Sequence, residues 1–357
     1  SCHHTIYLKT MTNALSKAYG DNPVHLRHII PIDFDAVQAV PESHQWLTSS
    51  DNVQSPANDR SSVPVIDLSS SDASNLIVAA CEAWGVFQVT NHGVPLELIE
   101  KVESETKGLF GLPASQKLKA LRSPSGATGY GVARIAPFFD KYMWHEGFTV
   151  IGSPLDHAKL LWPCDDHHQQ FCDVMQEYKK RMEGLVSTLL RMILESLDLS
   201  QQETDRLLKD ASSAALQLNS YPRCPNPNQA MGLAPHTDTS MLTVLHQNDV
   251  EGLEVHTQGV GWEFVKPVEG ALVVNVGDLL HVISNGRFPC VVHRVVIKEA
   301  HKQRVSVAYF SSLPVDLELR PLGLKSGEVA KYRRVTVLEY IGIKARSLDK
   351  ALSLIRI

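Results

Sequence analysis

The sequence predicts a mainly β fold with flanking helices, and three patterns point to it. The first half alternates short apolar runs with helical segments, one later segment carries a single long apolar stripe, and from Ala214 onward the chain breaks into short period-two runs punctuated by Gly and Pro. Many short strands with turn signals between them indicate a sandwich or barrel, such as a jelly roll. The organisation reads as one structural domain: a variable N-terminal segment and polar linker over 1–62, a helix-rich portion over 63–213, a β core over 214–320 and C-terminal helices over 321–357.

Each element has its own signal. Residues 1–47 are weakly patterned, and 48–62 are rich in Ser, Asn and Asp, the composition of a loop or linker. Residues 63–68 read as a short buried strand, 73–84 as a helix, 86–89 as a second strand and 96–110 as a second helix. Over 167–197, Phe171, Met175, Tyr178, Met182, Leu185, Leu189 and Ile193 recur at three- and four-residue steps, one apolar face over many turns. That stripe is expected to be core packing along the outside of a sheet. The period-two runs fall at 216–221, 240–245, 252–255, 262–265, 271–276, 289–297 and 305–310, and 335–357 closes the chain as one or two short helices.

Composition excludes several classes. The 357 residues are 43% hydrophobic and 20% charged with a net charge of −5, an ordinary globular balance able to bury a sizeable core. No run rich in Lys and Arg recommends nucleic acid or an anionic membrane as partner, no apolar stretch is long enough to span a bilayer, and no protein partner is inferred. Six scattered cysteines without a Cys-x-x-Cys read as reduced thiols of a cytoplasmic protein rather than a disulfide framework. Residues 1–9 show no apolar signal core.

His236, Thr237 and Asp238 form the only His-x-acid triplet in the chain. On a strand, residues two apart share a face, so His236 and Asp238 are expected to hold one ion together. Downstream, His293 shares its face with Val291, Val295 and Ile297 and is expected to point into an apolar interior. Each piece alone is ordinary: a His-x-Asp is near chance with 16 His in the chain, and a single His on an apolar strand face is usually a hydrogen-bonded core residue. Together, two imidazoles and one carboxylate suit one face of an iron(II) ion with three positions open. Zinc is the rival metal, although no Cys and no His-Glu-x-x-His supports it.

Arg304 and Ser306 share a strand face. A guanidinium fork matches a carboxylate, and the hydroxyl adds a hydrogen bond, which suits the far carboxylate of a co-substrate. The bland reading is an Arg at a barrel mouth paired with an Asp or Glu elsewhere, and a second Arg-x-Ser at Arg60 in the polar linker shows how little the triplet means alone. Asn219 and Tyr221 make another polar face, opposite Leu216 and Leu218, so Tyr221 is a further donor toward a bound carboxylate or a structural hydroxyl. His92, His246 and His281 read as structural.

With these residues in place, the chain resembles the plant 2-oxoglutarate- and iron(II)-dependent dioxygenases over roughly residues 60–350. The resemblance rests on VPVIDL at 63–68, WGVFQVTNHGVP at 84–95, LNSYPRCP at 218–225, GLAPHTDT at 232–239, NVGD at 275–278, SNG at 284–286, His293-Arg294 and Arg304-Val305-Ser306. It implies a double-stranded β-helix (jelly roll, cupin-like) core, His236, Asp238 and His293 as iron ligands, Arg304 and Ser306 at the distal carboxylate of 2-oxoglutarate with Tyr221 and Asn219 beside them, and ascorbate as reductant. The stretch GYGVARIAPFFDKYMWHEGFTVIGSP at 129–154, with ALQLN at 215–219 and MGLA at 231–234, is most like the gibberellin 3-oxidase branch. His145 and Pro235 depart from that branch's usual residues without removing a ligand.

The resemblance implies hydroxylation of an inactive C19 gibberellin precursor at the 3β position with O2, as 2-oxoglutarate is converted to succinate and CO2. The alternatives are a gibberellin 2-oxidase or broader-range gibberellin oxidase, and a non-catalytic binding protein on the same fold. A rigid apolar acid needs an apolar pocket with few polar anchors. Phe138, Phe139, Met143, Trp144 and Phe148 are candidate walls, and Tyr130, Arg134 and Lys141 candidate anchors, with core packing or a solvated position as the competing reading for each.

Overall fold

The computed structural model describes residues 19–46, 63–164, 166–211, 213–257 and 259–357, so the expected linker at 48–62 lies outside the described residues. Its helices are α1 (Ala73–Ala83), α2 (Leu96–Phe110), α3 (Ala114–Lys117), α4 (Leu155–Leu161), α5 (His167–Leu194), α6 (Gln201–Asp210), α7 (Asp278–Ile283), α8 (Val337–Ser347) and α9 (Ala351–Leu354). Its strands are β1 (Val65–Asp67), β2 (Val86–Thr90), β3 (Gly129–Gly131), β4 (Glu146–Ile151), β5 (Ser213–Tyr221), β6 (Met231–His236), β7 (Leu242–Gln247), β8 (Leu253–Thr257), β9 (Gly261–Phe264), β10 (Leu272–Val276), β11 (His293–Val296), β12 (Arg304–Ser312), β13 (Glu318–Leu319) and β14 (Val335–Thr336).

Two sheets face each other. The larger runs β1-β2-β10-β7-β12-β5-β4-β3 and the smaller β6-β11-β8-β9, the paired sheets of a jelly roll. Period two decides which residues face inward. Along β12, Arg304, Ser306, Ala308 and Phe310 line the space between the sheets, whereas Val307 and Tyr309 join the core on the other side. The same alternation divides Asn219 and Tyr221 from Leu216 and Leu218 on β5, and Asn275 and Val273 from Val274 and Val276 on β10.

The outer face of the large sheet is covered by helices. On α5, Phe171, Met175, Tyr178, Met182, Leu185, Leu189 and Ile193 are buried in one cluster with Val244, Val307 and Tyr309. That stripe is core packing, as its spacing predicts. The inner cluster between the sheets is smaller and rich in Val, including Val255, Val273, Val291 and Val295.

Three sequence expectations need correction. The run at 63–68 is not buried throughout: β1 is an edge strand whose Val65 is half exposed, and of β1 only Ile66 is covered. The run at 289–297 pairs only over His293–Val296. The strand carrying His236 ends there, so Asp238 lies in the turn beyond it rather than on the same strand face.

Candidate metal and co-substrate site

His236 closes β6 and pairs directly across the small sheet with His293, the first residue of β11. The pairing places the two rings 4.3 Å apart between centroids. The turn after β6 brings Asp238 back, so that its Oδ1 stands 3.6 Å from each imidazole Nε2. One ligand atom from each of the three lies within 4.8 Å of the others, the spacing of donors around a single ion. No other such cluster of His, Cys, Asp or Glu occurs among the described residues.

The surrounding bonds orient all three for coordination. His236 Nδ1 is 2.9 Å from the Ala234 carbonyl and His293 Nδ1 3.2 Å from that of Val291, which fixes the proton on Nδ1 and leaves each Nε2 lone pair free. Asp238 Oδ2 accepts from Thr243 Oγ1 at 2.7 Å and Asn275 Nδ2 at 2.9 Å, which leaves Oδ1 for an ion. Burial, reinforced by the His293 ring, pushes His236 well below its ordinary pKa and keeps it neutral. Burial works against ionised Asp238, the bonds from Asn275 and Thr243 favour it, and the carboxyl is held below its usual range. Two imidazoles and a carboxylate suit a divalent cation.

The turn itself is tied down from behind. The Asp278 backbone N–H donates to the Asp238 carbonyl at 2.8 Å, and Gly277 makes this approach possible, because a Cβ there would stand 2.2 Å from the Ser240 carbonyl oxygen.

On the opposite sheet, the register sets Arg304 against Tyr221 and Ser306 against Asn219. Arg304 is buried; its Nη2 donates to Gln247 Oε1 at 2.8 Å and its Cζ lies 5.1 Å from the Tyr221 ring centre. Its Nε and Nη1 are buried with no hydrogen-bond partner, and no carboxylate pairs with it among the described residues. The competing sequence reading, an acid partner elsewhere in the chain, therefore has no support there. Asn219 Nδ2 donates to Ser306 Oγ at 3.4 Å, and burial pushes the Tyr221 hydroxyl up to about 12, so it stays a neutral donor. Orphaned guanidinium donors in a buried site fit an organic carboxylate, and the distal end of 2-oxoglutarate supplies one.

One cavity of about 640 Å³ includes both groups of residues, and Arg134 and Phe138 also line it. The other substrate candidates fall outside it. Tyr130 donates to Glu146 at 2.6 Å, Met143 sulfur accepts from Ala234 N at 3.2 Å, and Trp144 Nε1 donates to the Pro222 carbonyl at 3.1 Å. Phe139 packs on Trp46, Phe148 is in the core, and Lys141 donates to the Glu42 carbonyl at the surface. For these six the packing or surface reading replaces the expected wall or anchor. His92, His246 and His281 bond to Gly270, Glu103 and Tyr332, respectively, as structural residues do. Sequence reasoning gave no role to Thr243, Gln247 or Asn275; only Asn275 carried a signal, through the NVGD run.

A jelly roll holding two His and one carboxylate opposite an unpaired buried Arg defines a 2-oxoglutarate- and iron(II)-dependent oxygenase. The model of the 2OG-Fe(II) oxygenase superfamily matches residues 212–312, and that described as "non-haem dioxygenase in morphine synthesis N-terminal" matches 63–171. Gibberellin 3-beta-dioxygenase 1 of Pisum sativum is 47% identical over 96% of this chain and 94% of its own length, and gibberellin 3-beta-dioxygenase 3 of Arabidopsis thaliana is 44% identical over 96% and 99%. The chain belongs to the gibberellin 3-beta-dioxygenase family within that superfamily. The crystal structure of JOX2 in complex with 2OG, Fe and JA superposes with a TM-score of 0.73 at 28% identity, over 87% of this chain and 92% of that one. Among the described residues, no helix is long and apolar enough to cross a membrane.

Proposed function

We propose that the chain hydroxylates a C19 gibberellin precursor at the 3β position. The observation that carries this is the single cavity in which the His236–Asp238–His293 cluster faces unpaired Arg304, in a chain 42–47% identical to four gibberellin 3-beta-dioxygenases over nearly its whole length. Bound iron(II) and 2-oxoglutarate supply the oxidising chemistry from O2, with succinate and CO2 as co-products.

The protein's own contribution is to bind, orient and exclude water. His236, Asp238 and His293 bring three donor atoms within 4.8 Å of one another at the cavity wall. Arg304, Ser306 and Tyr221 grip the distal carboxylate of 2-oxoglutarate, with Asn219 steadying Ser306. Leu245, Leu253, Val255, Val273 and Val295 form an apolar wall around these groups, suited to a rigid hydrocarbon skeleton and to keeping bulk water from the reacting carbon. The reading carries with it ascorbate as reductant and a cytoplasmic location, both resting on the sequence.

A 2-oxidising relative would use the same ligands, so the product decides. Incubation with C19 precursors, iron(II), ascorbate and 2-oxoglutarate is expected to give one product hydroxylated at the 3β carbon by mass spectrometry against standards. A hydroxyl at carbon 2 overturns the reading in favour of hormone inactivation.

A further inference from the structure

Four cationic side chains line the cavity among the described residues: Arg122, Arg134, Arg304 and Lys344. Two are accounted for. Lys344 is paired with fully buried Asp278, and Arg304 faces the co-substrate position. Arg122 and Arg134 remain, and neither meets an Asp or Glu among the described residues.

Arg122 is 3% exposed; its Nη2 donates to the Val132 carbonyl at 2.8 Å, while Nε is buried with no partner. Arg134 donates through Nη1 to the Gly126 carbonyl at 2.6 Å and holds its Cζ 3.6 Å from the centre of the Tyr19 ring. The two guanidiniums are near enough that Arg134 adds to burial in pushing Arg122 down to about 10. A buried guanidinium and a half-buried one that feel each other's charge, with no acid between them, are costly. Each spends one nitrogen on a backbone carbonyl, so donors remain for an anion that enters the cavity.

We infer that Arg122 and Arg134 form a cradle for the substrate's carboxylate, separate from the Arg304 clamp for the co-substrate. The ligand class is a largely apolar carboxylic acid, and the gibberellin acid of the proposed function is its instance; the inference rests on that reading for the ligand's identity only. The cradle fixes the acid end while the apolar wall holds the skeleton, so the carbon presented to the His236–Asp238–His293 centre is set by the distance between the two. Neutralising the acid removes the charge that offsets the two guanidiniums.

The test compares a C19 gibberellin with its methyl ester, in wild type and in Arg134→Gln, Arg134→Lys and Arg122→Lys, with 2-oxoglutarate and iron(II) present. The half-buried Arg134 is the safer site to change, and a circular-dichroism melt checks that each variant folds. Wild type is expected to prefer the acid in KM by about tenfold or more, the scale of hydrogen bonds to a charged group. Arg134→Gln should lose most of that preference by raising KM for the acid, with Arg134→Lys recovering part of it. Retention of the full preference in both Arg134→Gln and Arg122→Lys overturns the cradle. Equal use of acid and ester by wild type overturns it too, yet leaves 3β-hydroxylation standing. A product hydroxylated elsewhere, with the acid preference still dependent on Arg134, supports the cradle and overturns the 3β assignment.

Discussion

Asp238 can serve as a ligand because its two oxygens are divided between tasks. Oδ2 is committed to Thr243 and Asn275, and Oδ1 is turned toward the two Nε2 atoms. The His236–Asp238 spacing was legible in the sequence, but for a partly mistaken reason: the residues converge through a turn after the strand ends, not through a shared strand face. His293 was legible as an inward residue, and its direct cross-strand pairing with His236 was not, because register between distant strands is a tertiary fact. Asn275 lies on β10, in the other sheet, and its NVGD run marks it without saying that its side chain meets Asp238. Its importance can be measured. Outer partners of metal ligands are typically worth about 10–100-fold in affinity. Asn275→Ala should therefore weaken iron(II) or manganese(II) binding by roughly tenfold while leaving the melting midpoint of the metal-free protein within a few degrees. Metal affinity within about twofold of wild type contradicts the orienting role.

The elements best predicted from sequence are those with long uninterrupted periodicity. α5 repeats its apolar step over 28 residues, and β12 alternates faces over nine. The short elements were missed for identifiable reasons. α6 has a complete capping box between Ser200 and Glu203, yet within it only Thr204 and Leu207 are buried, so its stripe is too thin to register. β3 is Gly129-Tyr130-Gly131 and owes its conformation to pairing with β4. α8 was legible as a helix, but its tether was not. Lys344 reaches across to Asp278 and donates to Thr237 between the two candidate metal ligands, and Tyr340 one turn earlier donates to the same Asp278 oxygen at 2.7 Å. Asp278 in turn holds the Asp238 carbonyl through its backbone N–H, so α8 is fastened to the back of the turn that carries Asp238. Lys344→Met leaves a fully buried carboxylate without its cation, which typically costs about 3–5 kcal/mol. Chemical denaturation should show a loss of about 3 kcal/mol, together with weaker metal binding; a loss below about 1 kcal/mol means that the helix is held by its apolar face alone.

For the whole molecule, the two groups of candidate ligand-binding residues lie on different sheets. His236 and His293 belong to the small sheet, whereas Arg304, Ser306, Asn219 and Tyr221 belong to the large one. Between them the protein offers a Val-rich inner cluster much smaller than the core beneath the helices, and buried Arg304 donors with no protein partner. A co-substrate anchored at the metal on one side and at Arg304 on the other bridges the sheets, and each end strengthens the other. Its stabilisation should therefore depend on the metal. A ligand at about 100 times its Kd adds roughly 2.7 kcal/mol to folding stability, which moves the melting midpoint of a chain of this size by several degrees. Manganese(II) is a suitable stand-in that accepts the same imidazole and carboxylate donors. Manganese and 2-oxoglutarate together should raise the midpoint by more than the sum of their separate effects, and a chelator should remove most of the 2-oxoglutarate increment. Arg304→Met should abolish that increment while the metal increment persists. If 2-oxoglutarate stabilises the metal-free protein as strongly as the metal-loaded one, the two sheets are not bridged by a shared ligand, and Arg304 serves an anion that never approaches the metal.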